Sequence, residues 1–257
     1  MAAPSTAPAR VWITGASSGI GRAVALAYAR AGAAVAASAR AADALAALAA
    51  EPVAGGRLRA FPVDVTDRAA VAATVARIEA ELGGLDLVIL NAGTHEPVAA
   101  TQFDAAVFDR LIAVNLVGTV NGLAAVLPRL IARRAGHIAI VASVAGYGGL
   151  PSAAAYGATK AALINLAEAL KFDLDRCGVR VSLVNPGFVR TPLTDKNRFA
   201  MPALMEVDDA ARALVRGLAR GGFEVTFPRR FTYVLKLLRL LPYRLYFPLV
   251  ARLTGWR

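Results

Sequence analysis

The chain is poor in the residues that build cross-links and metal centres. It has one cysteine, Cys177, and two histidines, His95 and His137, in 257 residues. A lone cysteine excludes an internal disulfide and fits a reducing compartment, where a single thiol is ordinarily a small, inert, buried group. No Cys/His cluster has the spacing of a metal site, so no metal is assigned. His95 and His137 are isolated and read as loop and strand residues. No basic groove interleaved with aromatics is present, which argues against nucleic acid as a partner. Residues 1–9 are too short and too weakly apolar for a signal peptide and are expected to be a disordered lead-in.

Two stretches lack charge altogether, Leu111 to Pro128 and Ile138 to Thr159. By hydropathy either passes for a membrane span. The second holds Gly146, Gly148, Gly149 and Pro151, and the first holds Asn115 and Asn121, so buried strand, loop and interface helix account for them better. Acid is what the C-terminus lacks. Residues 229–257 contain Arg229, Arg230, Lys236, Arg239, Arg244, Arg252 and Arg257 but no Asp or Glu, and so carry seven of the eleven net positive charges. A segment this basic raises nucleic acid or anionic lipid as partners.

What is present is an alternation of short apolar runs and helical stretches, in a length that suits one α/β core. Strands are expected at Arg10–Ile13, Ala34–Ser38, Leu58–Val63, Leu87–Leu90, His137–Ala142, Val179–Val184 and Phe223–Phe227. Helices are expected at Ile20–Ala31, Ala41–Ala50, Asp67 to about Leu82, Phe103 to Arg133 with a break near its start, Pro151–Arg176 and Val207–Arg220. This β-α order implies a parallel sheet with right-handed crossovers. Residues 10–227 form the expected dinucleotide-binding and catalytic domain, and 228–257 a C-terminal segment beginning where the acids stop. Within it, polar or half-polar residues recur at 229, 232, 236, 239 and 243, opposite a broad apolar face of Phe231, Val234, Leu235, Leu237, Leu238 and Leu241. Pro242 and Pro248 interrupt the continuation. Two placements stand open: a helix lying on an anionic membrane, or one docked on the body or a subunit interface with its arginines in solvent.

Three motifs carry chemistry. Thr14-Gly15-Ala16-Ser17-Ser18-Gly19-Ile20-Gly21 joins the first strand to the first helix, the context in which a glycine turn cradles phosphates: Gly15 for the turn, Gly19 for close backbone approach, Gly21 for helix packing, and a helix N-terminus facing the anion. Asn91-Ala92-Gly93 follows the fourth strand, at the carboxyl edge where cofactors sit. Tyr156 and Lys160 are four apart on one helical face, and Ser143 lies thirteen residues before the tyrosine. A nearby ammonium favours a phenolate, so Lys160 is expected to lower the Tyr156 pKa.

Together these motifs resemble the short-chain dehydrogenase/reductase family over about residues 10–227. The resemblance implies a single-domain Rossmann-type doubly wound parallel sheet, here with a basic amphipathic C-terminal extension. It also implies a nicotinamide-dependent oxidoreductase acting on a small-molecule carbonyl or alcohol. The implied catalytic set is Tyr156 as proton donor, Lys160 on the nicotinamide ribose, Ser143 on the substrate oxygen and Asn115 ordering a relay water. Gly15, Ser17, Ser18, Gly19, Ile20 and Gly21 would hold the pyrophosphate, and Asn91, Ala92 and Gly93 the middle of the cofactor. Pro186, Gly187, Val189 and Thr191 would hold the carboxamide. Asp64 and Val65 border the adenine in such enzymes, although Asp64 can instead cap the next helix. Where relatives place an acid on the adenosine ribose, this chain has Ala39 followed by Arg40. Arginine matches phosphate geometry, so NADP(H) is expected over NAD(H), the alternative being Arg40 as a solvated charge. Two departures are Leu90 for a first asparagine and Ser18 for a basic residue. Apolar residues in the loop after Pro192 (Leu193, Phe199, Met201, Leu204 and Met205) suggest cover for an apolar pocket. Phe223–Pro228 and the basic, leucine-rich segment after it look similar to long-chain keto-lipid reductases of the 3-ketosphinganine type. The resemblance further implies a homo-oligomer, a dimer or tetramer, paired through the helices around Asn115 and Tyr156. The expected location is the cytoplasm, peripheral on the inner face of a membrane if the basic segment binds lipid. A catalytically silent cofactor-binding scaffold is the rival reading.

Overall fold

The computed structural model describes residues 8–197, 199 and 201–256. Most of the expected lead-in, residues 1–7, lies outside them; Ala9 already accepts a backbone bond from Ala34 at 2.7 Å. In chain order the elements are β1 (Arg10–Thr14), α1 (Gly19–Arg30), β2 (Ala34–Ser38), α2 (Ala42–Ala49), β3 (Arg57–Ala60), α3 (Arg68–Leu82), β4 (Leu87–Leu90), α4 (Ala105–Leu111), α5 (Gly118–Ala132), β5 (His137–Val141), α6 (Ala154–Arg176), β6 (Arg180–Pro186), α7 (Val207–Ala219), β7 (Glu224–Phe227), α8 (Arg229–Arg239) and α9 (Tyr243–Thr254). The seven strands are parallel, in the order β3-β2-β1-β4-β5-β6-β7.

The central strands are buried on both faces, which is why they read as unbroken apolar runs. One core fills the face under α1 and α7, with Ile13, Val35, Ile89 and Leu214. The other lies under α3, α5 and α6, with Trp12, Val88, Ile140 and Leu163. Local signals fix the ends. Asp67 caps α3 by accepting from the Ala70 amide at 2.9 Å, and Gly83 closes that helix at φ 79°. The order of the sheet reverses between β1 and β4, so their carboxyl ends frame a crevice, the usual ligand position in a doubly wound sheet.

The expected break near the start of the Phe103–Arg133 helix is absent. α4 and α5 are joined by a π-helical segment, Ile112–Val117, into one run from Ala105 to Ala132. This run is long and apolar enough to cross a membrane, but half of its most apolar window is buried in the protein. The widened turn centres on Asn115, which is fully buried; such bulges favour functional positions.

The boundary at Pro228 is compositional rather than structural. β7 runs straight into α8, and α8 turns only part of its apolar face inward. Thr232 is fully buried, and Lys236 forms an ion pair with Glu224 of β7. Leu237 and Leu240 are 64% and 78% exposed. The expected apolar face therefore divides: Phe231 and Leu235 pack against the core, while Leu237 faces out. The cause is Glu224, a half-buried carboxylate that also accepts from the Tyr147 hydroxyl at 2.6 Å and the Asn185 amide at 2.8 Å. Burial works against its charge, but the bonds from Lys236, Tyr147 and Asn185 outweigh that and hold its pKa below the ordinary glutamate range. α9 anchors through Tyr246, whose hydroxyl donates to Gly149 O at 2.9 Å. Pro248 lies within α9 rather than ending it.

Candidate active site

At the crevice a cleft of about 450 Å³ is lined by Gly15, Ser17, Ser18, Gly19, Ile20, Gly21, Arg40, Asp64, Val65, Asn91, Ala92, Gly93 and Thr191. These are the residues read from the sequence as a cofactor cradle, now gathered from β1 through β6. Its floor depends on missing side chains. A Cβ on Gly21 would sit 2.2 Å from Gly15 O and 2.6 Å from Asn91 Nδ2, and one on Gly15, at φ 68°, would sit 2.8 Å from Ala92 Cα. Asn91 has a structural part in this: its Nδ2 donates to Thr14 O at 3.1 Å and Gly15 O at 3.3 Å. Thr14 completes the clasp, its Oγ1 accepting from the amides of Asn91 and Ala92 at 3.0 and 3.1 Å. α1 begins at Ser18 with no side-chain cap and no acid in its first turn, leaving its N–H groups and positive dipole end for an anion.

Arg40 lines the cleft just past β2 with its side chain 71% exposed, 4.0 Å from Asp64. Asp64 folds back on Thr66, accepting from its amide at 2.9 Å and hydroxyl at 2.8 Å. Those bonds, opposed by burial and aided by Arg40, hold its carboxyl below the ordinary range. The capping alternative for Asp64 does not occur, because Asp67 takes that role.

Next to the cleft lies a pocket of about 100 Å³ containing Ser143, Tyr156 and Gly187. Ser143 lies just past β5 and caps a one-turn helix, Val144–Gly146, through Ala145 N at 3.1 Å. That turn rides directly on α6: a Cβ on Gly146 would lie 2.7 Å from the Lys160 carbonyl carbon. The close approach sets Ser143 beside Tyr156. Burial pushes the Tyr156 hydroxyl up to about 12, with a hydrogen bond to Ser143 working the other way. Lys160 is buried, donates to Val141 O at 3.0 Å and sits 5.5 Å from the Tyr156 ring centroid. Burial pulls it down to about 8. The expected lowering of the tyrosine by the ammonium is thus not what the protein side chains produce: the lysine addresses a carbonyl and the ring, and desolvation dominates both groups.

Asn115 stands behind this pair rather than in the pocket. Its Oδ1 accepts from Thr94 N at 2.7 Å, and its Nδ2 donates to Thr94 O and Thr159 Oγ1, both at 3.0 Å. It ties the loop after β4 to α6, one residue from Lys160, and both Nδ2 hydrogens are committed. Pro186 and Val189 line neither space; both are buried, and Val189 O accepts from Thr194 Oγ1 at 2.7 Å.

Two residues at the site escaped the sequence reading. His95 lines the pocket, its ring 4.7 Å from that of Tyr156 and edge-on, with Nε2 3.1 Å from Asn197 Oδ1. Burial lowers its pKa below the ordinary value, which favours the neutral ring. Its place two residues after Gly93 was the available signal. Lys196 lines the cofactor cleft and donates to His95 O at 2.9 Å; it was hidden in a loop noted for its apolar residues. In that loop Leu193 borders both spaces, Phe199 borders the pocket, and Met205 instead pairs with Val189.

The pocket continues outward. A larger cavity of about 550 Å³ shares six wall residues with it, Val144, Leu150, Pro151, Ser152, Phe188 and Phe199. Its far wall is Phe231, Val234, Leu235 and Leu238 of α8 and Val250 and Leu253 of α9.

Comparison with known proteins agrees with this arrangement. Residues 9–201 match the short chain dehydrogenase family. An uncharacterized oxidoreductase of Myxococcus xanthus is 40% identical over 242 residues, 94% of this chain and 96% of that one. Among solved structures, a short-chain dehydrogenase from Sphingobium yanoikuyae in complex with NADPH is 32% identical, with a TM-score of 0.78 over 88% of this chain and 91% of that one. One from Streptomyces avermitilis gives 0.80 over 96% of each chain at 27% identity. A glycine cradle at the crevice, a serine–tyrosine pair with a buried lysine behind it, and a family match spanning both lead to one conclusion: this oxidoreductase belongs to the short-chain dehydrogenase family.

Proposed function

We propose that the protein reduces the carbonyl of an apolar, long-chain substrate with NADP(H). The observation that carries this reading is the junction of three spaces: the glycine cradle with Arg40 at its end, the Ser143–Tyr156 pocket, and the apolar cavity beneath α8 and α9. The cradle fits a dinucleotide: a cleft of about 450 Å³ runs along the glycine turn and the uncapped N-terminus of α1 to Arg40, over a floor that Gly15 and Gly21 let pack tightly. The NADPH bound by the Sphingobium relative supports the same cofactor here. Arg40 would hold the 2′-phosphate with its guanidinium fork; Ala39 beside it offers no carboxylate to repel that group. When bound, the nicotinamide supplies hydride to the substrate carbonyl carbon.

The residues of the chain do the rest. Tyr156, kept protonated by burial, gives its proton to the carbonyl oxygen as the hydride arrives, so that carbonyl becomes alcohol. Ser143 donates a hydrogen bond to that oxygen and holds it toward Tyr156. Lys160, charged below about pH 8, would hold the ribose side of the site. Asn115 fixes Thr94 and Thr159 and thereby the lysine-bearing helix. A second copy of the chain is assigned to the outer face of the Ala105–Ala132 run and α6, where Ile112, Val117, Val120 and Phe172 are exposed.

The test is oxidation of reduced cofactor by the purified enzyme against ketones of graded chain length, with NADPH and NADH side by side. Efficiency should rise with chain length and with NADPH. Equal rates for both cofactors, or a preference for short polar ketones, count against the reading. Absence of hydride transfer to any ketone, in a single turnover, favours the silent scaffold instead.

A further inference from the structure

We propose that α8 and α9 form a docking face for an anionic lipid bilayer, and that the apolar substrate passes from the bilayer through the cavity between them to Ser143 and Tyr156. This rests on the carbonyl-reductase reading and adds where the substrate comes from. Four observations converge. First, α8 leaves part of its apolar face outside: Phe231 and Leu235 pack on the body and Lys236 reaches Glu224, while Val234 and Leu237, with Leu240 just after the helix, are more than half exposed. Second, the next helix and its end also present apolar side chains to solvent, with Tyr243, Phe247, Leu253 and Trp256 each more than half exposed. Exposed apolar residues in this number mark an interaction surface. Third, residues 229–257 hold seven basic residues and no acid, and Arg229, Arg230, Arg239, Arg244 and Arg252 are exposed. Fourth, Val234, Leu253 and Trp256 belong both to this exposed surface and to the cavity wall, so the cavity opens on the apolar face itself.

Charge selects the occupant. A second copy docking symmetrically through this face would set two acid-free basic segments against each other. An anionic headgroup layer complements the arginines, while the leucines and aromatics enter the acyl boundary. Burial in the acyl region also gives the exposed Leu240 the apolar neighbours it lacks on the protein.

The full-length protein is tested by co-sedimentation with vesicles of equal parts phosphatidylcholine and phosphatidylglycerol, and with phosphatidylcholine alone, at low and high salt. Binding should favour the anionic vesicles by roughly tenfold or more and weaken with salt. L237E/L240E should lose that binding and reduce a long-chain ketone dissolved in the vesicles about tenfold more slowly, while a short soluble ketone is turned over as before. Should that variant fail to fold, R244S/R252S, altered only at exposed positions, should weaken anionic binding by on the order of tenfold. Equal binding to both vesicle types, or none, overturns the proposal. So does a wild-type dimer that L237E/L240E splits without any vesicle binding. If no ketone is reduced, short or long, it is the carbonyl-reductase reading that fails, whatever the vesicles show.

Discussion

α7 and α8 flank the same edge strand, and they treat their side chains in opposite ways. α7 buries Ala210, Ala211, Leu214 and Leu218 and turns its charged residues outward. α8 fully buries only Thr232, packs Phe231 and Leu235 in part, and leaves Val234 and Leu237, with Leu240 just after it, more than half exposed. Both sequences have a clear helical stripe, so periodicity alone does not decide which stripe faces in. The neighbour decides it. α7 meets an apolar layer containing Val225 and Phe227, whereas α8 starts at the end of β7 and crosses Glu224, a carboxylate already bonded to Tyr147 and Asn185. An ammonium is the strongest available partner for such a group, and Lys236 reaches it. The body of the protein is thus built by burying apolar surface, whereas α8 also answers to a half-buried carboxylate.

The largest effect that sharpens this contrast lies in the body. Tyr156→Phe removes the proton donor and nothing else, so turnover should fall by about 10²–10⁴-fold with cofactor affinity unchanged by fluorescence titration. Removal of the C-terminal anchor at Glu224 should instead spare the chemistry of a short ketone. Retention of most of the rate by Tyr156→Phe would remove this tyrosine from the mechanism.

Lys160 comes next, because it sets activity and stability in opposition. Its folded pKa is about 8, below the ordinary lysine value near 10.4. The unfolded chain therefore holds more protons between those values, and stability rises with pH across that window; below about 8 the cost of the buried charge is present in full. Reduction, which uses the charged form, should fall as pH rises through about 8. Lys160→Met should abolish turnover, weaken cofactor binding and raise stability by about 3 kcal/mol. Denaturant titration and a pH–rate profile check the two signs separately; a destabilised methionine variant would show that the bond to Val141 O outweighs desolvation.

Arg40→Ala should weaken NADP(H) by roughly 10–100-fold, the worth of a charge-assisted hydrogen bond, and leave NAD(H) in place. Equal loss of both cofactors would mean that Arg40 supports the cleft rather than reading the ribose.

Much of this was legible from residue order because the cradle and the serine–tyrosine–lysine set are local motifs on predictable elements. Gly21 must pack on Gly15, and Tyr156 and Lys160 must share a helix face, whatever surrounds them. What escaped depends on contacts far apart in the chain. His95 meets Asn197 across 102 positions, and Lys236 meets Glu224 from another element; neither leaves a periodic trace. The Lys160–Tyr156 coupling was misread for a different reason. Spacing shows that two groups are close, but burial, which dominates both pKa values here, is a property of the packed site.

Glu224→Gln tests what holds α8 in place. The pair with Lys236 is partly exposed, so its loss should cost only about 1–2 kcal/mol. Because Glu224 is held below the ordinary glutamate range, its contribution is complete above about pH 4.3 and is lost as pH falls through the folded value. The wild type should therefore lose the difference from Glu224→Gln as the pH is lowered, read by thermal melts from neutral pH downward.

The smallest effect is the sharpest discriminator between the two helices. Leu240 is 78% exposed and Leu214 is fully buried. Leu214→Ala should cost about 2–5 kcal/mol by loss of transfer energy and the cavity it leaves. Leu240→Ser removes a side chain that touches little protein, so the soluble enzyme should change by no more than about 0.5 kcal/mol. Any stability that a bilayer adds should then fall in the serine variant, because a leucine buried in the acyl boundary contributes there and a hydroxyl does not. Urea titration with and without anionic vesicles separates the two. A loss above about 1 kcal/mol without vesicles would mean that the outward stripe of α8 is packed in solution, and the contrast with α7 would collapse to two helices buried in the ordinary way.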